Sequence, residues 1–271
     1  VVYDPLMEKR SILSREVKTE LQAAFPELEI KSLYGPFAEM RSIKSPAEIV
    51  LLQEAIDATI TAHIEAMKSS EPEMYEYELQ AVIEYCFAKN GAAYQGFPTI
   101  VGSGPNSCIL HYEANRRQMK SGDVVVMDIG AEYEGYSADI TRTIPVNGSF
   151  SDAQREIYEI VLRAQEESIK EFKPGAAQAA PSQKAYDVIA EGLTKLGIIK
   201  EKDETRRYYM HGLSHNIGLD VHDAGSYGKP YAPGMVLTDE PGIYIPAGSP
   251  CDKKYWDIGV RIEDDVLITA D

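Results

Sequence analysis

The order of predicted elements constrains the fold of this chain most, because helices followed by a pair of strands occur twice. Apolar residues recur every three or four positions in the helical segments and form continuous or alternating runs in the strands. Helices are expected at 45–67, 75–89, 151–173 and 182–196, and strands at 123–130, 136–144, 234–245 and 258–269. This order predicts an α+β fold with two similar αβ halves around a shared sheet, and it argues against a parallel βαβ arrangement.

The first long helix has the clearest start signal. Ser45 can act as the N-cap, Pro46 occupies the first helical position, and Glu48 is placed to complete a capping box. His63 lies on the apolar stripe of this helix, and we interpret it as a packing residue and not as a ligand. The other members of the stripe are Ile49, Leu52, Ile56, Ile60 and Met67.

The first 39 residues differ from the rest of the chain, because they carry too little apolar surface to form a core of their own. A short amphipathic helix is expected at 14–24 and a strand at 28–34, and Gly35-Pro36 is expected to break the chain. The sequence begins at Val1 and not at Met. We therefore expect 1–39 to be a remnant or linker of a missing N-terminal domain, and 40–271 to form the main domain.

Charge and cysteine content exclude several classes of protein. Lys and Arg total 27 against 43 Asp and Glu, which gives a formal charge of −16. Such a surface repels nucleic-acid phosphates, so nucleic acid is not an expected partner. No apolar run approaches the roughly 18 residues that a membrane span needs, so no membrane contact is expected either. Three widely spaced cysteines predict neither a disulfide framework nor a zinc ribbon, and they fit a reducing, cytoplasmic setting.

Four of the five histidines lie in Gly-rich or turn-like segments. His211, His215 and His222 fall within twelve residues of one another, and His111 lies in another such segment upstream. One histidine in a loop has little meaning by itself. Three so close together indicate that imidazoles are gathered at one site for metal binding or proton transfer.

Two aspartates lie where an isolated ionised side chain would be costly. Asp128 ends the apolar run 124–127, so its carboxylate must be paired or bound to a metal. Asp139 lies eleven residues later, on the strand that returns after the turn expected at Glu134-Gly135. The two side chains can therefore sit on neighbouring strands and point into one cavity.

Two glutamates complete the acidic set. Glu240 ends a strand at the point where a Pro-Gly pair turns the chain. Strand alternation over 259–263 puts Arg261 and Glu263 on one face and the apolar residues on the other. A strand whose apolar face packs against helices would direct Glu263 into the site.

Each of these carboxylates also has a structural interpretation, as a turn cap or as the partner of a nearby arginine such as Arg142. Four of them with a histidine are harder to explain in that way, because like charges ~4 Å apart repel by several kcal/mol at intermediate dielectric. Two divalent cations would offset the repulsion. Oxygen ligands with one imidazole suit Mn²⁺, Co²⁺ or Zn²⁺ and do not suit a zinc–thiolate site.

These segments resemble the pita-bread metallopeptidases, a family that includes methionine aminopeptidase, prolidase and aminopeptidase P (Xaa-Pro aminopeptidase). The resemblance covers about 40–271, is strongest to the aminopeptidase P group, and implies two pseudo-symmetric αβ halves around a curved, mainly antiparallel sheet. The matching stretches are 99–112, Asp128-Ile-Gly, Gly135-Tyr-Ser-Ala-Asp139-Ile-Thr-Arg-Thr, His211-Gly-Leu-Ser-His215, Val221-His222-Asp223, Glu240-Pro-Gly-Ile-Tyr244 and Arg261-Ile-Glu263-Asp264.

The resemblance implies a role for each matching side chain. Two metal ions, with manganese expected first and cobalt or zinc next, would share Asp139 and Glu263 as bridging ligands. The full ligand set would be Asp128, Asp139, His215, Glu240 and Glu263. The substrate side, where the scissile carbonyl is oriented, would be lined by His111, His211 and His222. Tyr244 and Arg261 would hold the ligands and the water network from behind.

The implied activity is release of the first residue from peptides whose second residue is proline, so the implied partners are such peptides. A hydroxide bridging the two metals would attack the carbonyl, with His222 polarising it and Glu240 carrying the proton to the leaving nitrogen. That nitrogen belongs to proline, around whose ring His111 and His211 would pack. The resemblance also implies a homo-oligomer, although the N-terminal domain that helps to close the site and build oligomers in the family is expected to be missing here.

Several alternatives stay open at the level of sequence. Prolidase cuts only Xaa-Pro dipeptides, although Ser214 and the segment 99–112 look more like the aminopeptidase. Methionine aminopeptidase would cleave Met-Ala but not Xaa-Pro peptides. A non-catalytic peptide-binding module of this fold, or a metal-free creatinase-like hydrolase, would lack some metal ligands, whereas this chain has a matching residue at each ligand position.

Overall fold

The computed structural model describes residues 2–3 and 12–270. Its α-helices are α1 (Ile12–Ala24), α2 (Tyr34–Ser42), α3 (Pro46–Ser69), α4 (Glu76–Lys89), α5 (Asp152–Ser168) and α6 (Ala179–Lys195). Its strands are β1 (Val2–Tyr3), β2 (Lys31–Ser32), β3 (Tyr94–Gln95), β4 (Ile100–Ser103), β5 (Val124–Ile129), β6 (Ala131–Tyr133), β7 (Tyr136–Ser137), β8 (Ile140–Pro145), β9 (Val236–Asp239), β10 (Gly242–Ile245), β11 (Ile258–Arg261) and β12 (Asp264–Leu267).

The first half of the molecule packs α3 and α4 against an antiparallel sheet in the order β4-β5-β8. β5 is the central strand and is buried along its whole length. In its register, Asp128 lies opposite Ile100 on one side and Thr141 on the other. The helices and the sheet share a buried apolar core that includes Ile83 and Met127.

The second half pairs α5 with α6, and α5 packs against β10 and β11. Its strands form two antiparallel pairs, β9-β12 and β10-β11, and its separate core includes Ile157, Ile189 and Val260. The halves meet where Thr141 and Glu263 form an antiparallel bridge. The α+β organisation predicted from the order of elements is therefore confirmed, and the pairing in both halves is antiparallel as expected.

The first long helix begins as predicted. The Oγ of Ser45 accepts the N–H of Glu48 at 3.4 Å, and the Glu48 carboxylate accepts the N–H of Ser45 at 2.7 Å. His63 is buried, and its Nε2 lies 2.9 Å from the carbonyl oxygen of Ile140. It is the packing residue that its position on the stripe indicated.

Part of the apolar stripe predicted on α3 does not face the core. Ile60 and Met67 are 43% and 38% exposed. The buried face is formed largely by small residues, namely Ala55, Ala58, Ala62 and Ala66. Small side chains on the inner face let α3 approach the sheet closely, which leaves larger neighbours at the rim. Alanine adds little to an apolar pattern, so the pattern predicts that the larger residues of α3 face the core.

The N-terminal segment differs from the prediction at two points. The helix expected at 14–24 is confirmed as α1, but the strand expected at 28–34 is reduced to β2, and the break expected at Gly35-Pro36 is wrong. Both residues lie in the first turn of α2, where backbone N–H groups have no partner within the helix and proline is tolerated. α2 crosses position 39, and the boundary between 1–39 and 40–271 stays a prediction. Residues 1 and 4–11 of that segment lie outside the described residues.

The described residues bear on two expectations from composition, the lack of a membrane span and the lack of a disulfide framework. None of the helices in these ranges has both the length and the apolar character that a membrane crossing requires. Cys86, Cys108 and Cys251 are free thiols, and Cys86 is buried in the core of the first half.

The contribution of the Ser45 cap to stability can be tested by substitution. Ser45→Ala removes the side-chain acceptor for the N–H of Glu48, and we expect the free energy of unfolding to fall by about 1 kcal/mol in urea denaturation. Ser149→Ala is the matched control, since Ser149 is an exposed loop serine. Equal unfolding midpoints for both variants and the parent chain would contradict a stabilising cap.

Candidate metal centre

A cleft of about 300 Å³ opens between strand ends of the two halves. Its walls include nine residues that the sequence predicted for the site, namely His111, Asp128, Asp139, His211, His215, His222, Glu240, Arg261 and Glu263. Tyr244 is fully buried behind the cleft and reaches it through Arg261 and His211. The structure therefore brings all the predicted site residues together.

Asp128 and Asp139 reach the cleft from neighbouring strands, as predicted. Asp128 lies next to the end of β5, and Asp139 directly precedes β8. The predicted turn at Glu134-Gly135 is confirmed, with φ of 50° and 86° at its two residues. Positive φ at both positions suits a two-residue hairpin. Gly130 permits the close approach of the strands, because an added Cβ would lie 1.8 Å from the carbonyl oxygen of Ala138.

Asp128 is held by Arg261. Its Oδ2 accepts a hydrogen bond from Nη2 at 2.5 Å, and both side chains are largely buried. The second oxygen, Oδ1, is buried and has no hydrogen-bond partner among the residues that the structure describes. An unsatisfied carboxylate oxygen is costly in such a place unless a cation binds it.

Asp139 is also held on one side by neighbouring groups. Its backbone N–H donates to Oδ2 of Asp265 at 3.1 Å, and its own Oδ2 lies 3.4 Å from Nε2 of His215. Its Oδ1 is buried without a partner within 2–3 and 12–270. Two of the predicted ligands thus each keep one oxygen that no described protein group satisfies.

Glu263 enters from the second half, on the face that strand alternation predicts. Its Oε2 accepts a hydrogen bond from Oγ1 of Thr141 at 2.6 Å and lies 3.9 Å from Nε of Arg261. The N–H of Glu263 also donates to the carbonyl oxygen of Thr141 at 3.1 Å. Glu263 is 2% exposed, so this carboxylate is buried and fixed by groups from both halves.

His215 is the single imidazole among the predicted ligands. Its Nδ1 lies 3.2 Å from the carbonyl oxygen of Asn216, which assigns the ring hydrogen to Nδ1. Burial lowers the pKa of His215 to about 4, so the ring is neutral near pH 7. Nε2 therefore presents a lone pair, 3.4 Å from Oδ2 of Asp139 and 3.5 Å from Oε1 of Glu240. A lone pair that faces two carboxylates is repelled by them, and a cation between them removes the repulsion.

The donor set fits divalent cations. Ligand atoms of Asp139, His215 and Glu263 lie within 4.8 Å of one another, close enough to surround one ion. Asp128 and Glu240 line the same cleft beside this group and add oxygen donors for a second ion. No cysteine of the described residues lines the cleft, so the set suits manganese, cobalt or zinc bound by oxygen and imidazole.

Burial and mutual repulsion alter the pKa of the acidic side chains in the absence of a cation. Burial, reinforced by the charges of Glu263 and Asp128, raises the pKa of Asp139 well above its ordinary value. Burial, followed by the charge of Glu240, raises the pKa of Glu263 in the same way. Burial raises the pKa of Glu240 to about 8. The raised pKa values show that the ionised carboxylates are unfavourable side by side, and a bound cation would offset that cost.

A chain of hydrogen bonds runs behind the cleft from Asp128 to His211. Arg261 bonds Asp128 through Nη2 and donates from Nη1 to the hydroxyl of Tyr244 at 2.8 Å. Burial raises the pKa of Tyr244, so its hydroxyl stays protonated and donates a hydrogen bond to Nε2 of His211 at 2.9 Å. Nδ1 of His211 then carries the ring hydrogen, 2.7 Å from the carbonyl oxygen of Gly212.

The two remaining histidines lie at the outer side of the cleft and are exposed. The ring of His222 packs edge-on against the ring of His215, with centroids 4.4 Å apart. His111 follows Leu110, whose carbonyl oxygen lies 3.5 Å from Nη2 of Arg261. Both are therefore positioned relative to the predicted ligands by direct contact or through a neighbour.

Sequence reasoning missed three polar side chains that hold the predicted ligands, namely Thr141, Thr238 and Asp265. Strand alternation could have identified Asp265, because it lies two residues after Glu263. Thr141 could be found only from the register between β5 and β8, in which it lies opposite Asp128. Thr238 accepts the N–H of His215 at 3.1 Å, a contact between distant segments that leaves no local signal.

The raised pKa values predict how stability depends on pH once metals are removed. Burial raises the pKa of Glu240 and Asp265 to about 8 in the folded protein, against about 4 in an unfolded chain. The folded state then holds protons that the unfolded state lacks, so its stability is lost as pH rises through the folded pKa. Histidines with a lowered pKa act in the opposite sense only below about pH 6.5, and these are His63, His211 and His215.

We therefore expect the Tm of the chain in EDTA to fall by several degrees between about pH 6.5 and 8.5. Excess Mn²⁺ should remove this fall, because a bound cation favours the ionised carboxylates. Differential scanning fluorimetry at matched ionic strength measures both curves. A Tm in EDTA that stays constant or rises across this range would contradict the account of the site.

Known proteins are similar in sequence to this chain over a range that includes the residues of the cleft. The pattern of metallopeptidase family M24 matches residues 50–270. The Xaa-Pro aminopeptidase of Escherichia coli K12 is 48% identical over 242 residues, which cover 85% of this chain and 55% of that protein. The mitochondrial intermediate cleaving peptidase 55 of Arabidopsis thaliana is 38% identical over 243 residues, which cover 89% of this chain and 49% of that protein. The chain thus spans about half the length of these curated relatives.

Solved structures share the fold. A zinc-substituted E. coli aminopeptidase P in complex with product matches with a TM-score of 0.86 at 46% identity, covering 89% of this chain and 57% of that one. Proline aminopeptidase P II from Yersinia pestis matches with a TM-score of 0.86 at 43% identity, covering 89% of this chain and 58% of that one. The pita-bread fold implied by the sequence motifs is therefore confirmed. The chain belongs to metallopeptidase family M24.

Proposed function

We propose that this chain carries the catalytic domain of an Xaa-Pro aminopeptidase, which releases the first residue from peptides whose second residue is proline. The observation that carries the proposal is the cleft in which four carboxylates meet a neutral imidazole beside three further histidines. The name of the E. coli relative, an Xaa-Pro aminopeptidase, supports the same substrate class. We take 40–271 as the catalytic domain, of which 50–270 match the family pattern.

The family implies divalent metal ions, and we propose manganese as the metal that this site holds. The ions would be held by Asp128, Asp139, His215, Glu240 and Glu263, of which Asp139, His215 and Glu263 offer ligand atoms within 4.8 Å of one another. When bound, such ions lower the pKa of water and polarise a carbonyl group, which makes hydrolysis possible near neutral pH. Cobalt and zinc suit the same donors, and zinc is the metal in one of the matching structures.

Glu240 is the proposed proton carrier. Its Oε1 lies 3.5 Å from Nε2 of His215, and its Oε2 lies 3.6 Å from Nδ1 of His211. Burial raises the pKa of this carboxyl group, so it can hold a proton taken from the attacking water. It would then give that proton to the leaving nitrogen. His222, at the outer side of the cleft, would donate a hydrogen bond to the scissile carbonyl oxygen as negative charge develops there.

A proline leaving group imposes its own requirements on the site. Its ring fixes φ, and its nitrogen carries no hydrogen in the peptide, so the protein must hold the ring and supply a proton. His111 and His211 are the proposed walls for the ring, with Leu110 beside them in the cleft lining. The hydrogen bond from Tyr244 fixes the orientation of His211 and its tautomer.

Two finer expectations remain proposals. A homo-oligomer is proposed on the resemblance to the family alone. A reducing, cytoplasmic setting is proposed because Cys86, Cys108 and Cys251 are free thiols, which persist in such a compartment.

Glu240→Gln tests the proposed chemistry, because it removes the proton carrier while keeping its size. We expect kcat on a tripeptide such as Arg-Pro-Pro to fall by about 10²- to 10⁴-fold. Circular dichroism and thermal unfolding should show that the fold is kept, and elemental analysis should follow the metal content. Glu71→Gln is the matched control, since Glu71 is exposed and lies outside the cleft. Undiminished turnover by Glu240→Gln would refute the assignment.

Substrate length decides between the proposed aminopeptidase and its relatives in the same assay. The proposal requires that the parent chain cleaves Xaa-Pro tripeptides and longer peptides. Hydrolysis of Xaa-Pro dipeptides alone would identify a dipeptidase of the prolidase type. Cleavage of Met-Ala peptides without any cleavage before proline would identify a methionine aminopeptidase.

A further inference from the structure

A buried ion cluster ties the segment before α3 to the loop that carries His222. Asp223 is the next residue along that loop, and its side chain is 2% exposed. Its Oδ1 lies 2.5 Å from Nη2 of Arg41, and its Oδ2 lies 3.5 Å from Nζ of Lys44. The side chain of Lys44 is 1% exposed, so the carboxylate meets this cation away from water. The two side chains stay together, because a buried carboxylate or ammonium group that loses its partner costs free energy.

Arg41 also binds the residue on the other side of His222. Its Nη2 donates to Oδ2 of Asp220 at 2.8 Å, so one guanidinium holds positions 220 and 223. The interval between these two aspartates contains only Val221 and His222. Both contacts are made by the same nitrogen, so the two carboxylates meet at one end of the guanidinium group. The main chain on both sides of His222 is therefore held by one side chain.

The same loop packs against its own beginning. The N–H of Asp223 donates to the carbonyl oxygen of Asn216 at 2.8 Å. Gly218 leaves room for the carboxylate, because an added Cβ would lie 2.3 Å from Oδ2 of Asp223. The N–H of Ser226 donates to Oγ of Ser42 at 2.8 Å, which is a second contact from the segment that contains Arg41.

The position of this loop determines the position of His222 in the cleft. His222 lines the cleft and packs against the ring of His215, with centroids 4.4 Å apart. Arg41 and Lys44 do not line the cleft, and both precede residue 50, where the match to the family pattern begins. Their ion pairs with Asp220 and Asp223 therefore reach the cleft through the loop that carries His222.

We propose that Arg41 is a positioning residue for His222, which it holds in place by binding Asp220 and Asp223 together. The inference rests on the proposed function, in which His222 contacts the scissile carbonyl group. Holding the imidazole matters because a misplacement of about 1 Å in a reacting group lowers the rate by up to about 100-fold. Arg41 touches neither the substrate nor a proposed metal ligand.

Two substitutions at Arg41 and one control test this. Arg41→Gln removes the cation, and Arg41→Lys keeps the charge but moves it, because the lysine ammonium is a point charge on a side chain of different shape. Glu39→Gln is the matched control. Glu39 pairs with Lys229, so this substitution breaks another ion pair between α2 and the chain that follows the His222 loop. We expect kcat/KM on an Xaa-Pro tripeptide to fall about 10- to 100-fold for Arg41→Gln. Arg41→Lys should recover only part of this loss, and Glu39→Gln should stay within about twofold of the parent.

A double-substitution cycle with His222→Ala separates positioning from general damage. If Arg41 acts through His222, Arg41→Gln causes no further loss once the imidazole is absent. An equal loss with and without His222 would overturn the proposal, because Arg41 would then support the fold or the whole site.

Hydrogen exchange gives a readout that does not need activity. In the metal-free protein, Arg41→Gln should speed exchange in the segment 216–226, whereas Glu39→Gln should leave it unchanged. Unchanged exchange in Arg41→Gln would overturn the proposal. If the parent chain cleaves no Xaa-Pro peptide while exchange responds as expected, the proposed function fails and the restraint of the loop by Arg41 is upheld.

Discussion

Like charges that share a small buried volume repel one another, and this constraint governs the structure around the cleft. The charges belong to Asp128, Asp139, Glu240 and Glu263. Arg261 balances Asp128 directly, through a contact of 2.5 Å, and lies farther from Glu263, at 3.9 Å. The remaining charge requires protons, as the raised pKa of Glu240 indicates, or cations. Cations are the solution in which every carboxylate stays ionised and the neutral imidazole of His215 becomes a ligand.

The two halves of the fold together supply the four carboxylates of the cleft. The first half supplies Asp128 and Asp139 from the β5–β8 region, and the second supplies the glutamates from the ends of β9 and β11. The side chains of Thr141 and Glu263, 122 positions apart in sequence, bond each other at 2.6 Å across the boundary. Neither half contains the whole set of ligands, so the cleft forms only when the two halves are joined.

Much of the site could be predicted because its signals are local. Asp128 is recognisable as a charge at the end of an apolar strand, and Glu134-Gly135 as a hairpin turn, and together they bring Asp139 beside it. Alternation along one strand identified the face shared by Arg261 and Glu263. The motifs then supplied the fold, which the matching structures confirm.

The remaining features depend on contacts between segments that are distant in sequence. The ion pair between Arg41 and Asp223 joins positions 182 apart, and nothing in the sequence near Arg41 indicates that Asp223 is its partner. The helix through Gly35-Pro36 was missed because this pair usually signals a break, although the first turn of a helix accepts it. Ile60 lies on the predicted apolar stripe and is exposed, because a periodic pattern does not show how closely alanines let a helix approach the sheet.

The number of divalent ions bound per chain tests the central claim most directly. The purified chain is stripped with a chelator, reloaded with Mn²⁺ and desalted, and its metal content is measured by inductively coupled plasma mass spectrometry. Asp139→Asn and the exposed control Glu71→Gln are treated in the same way. The account predicts about two ions per chain in the parent and in the control, and a clear loss in Asp139→Asn. A parent chain that retains almost no metal, with Asp139→Asn indistinguishable from it, would contradict the account.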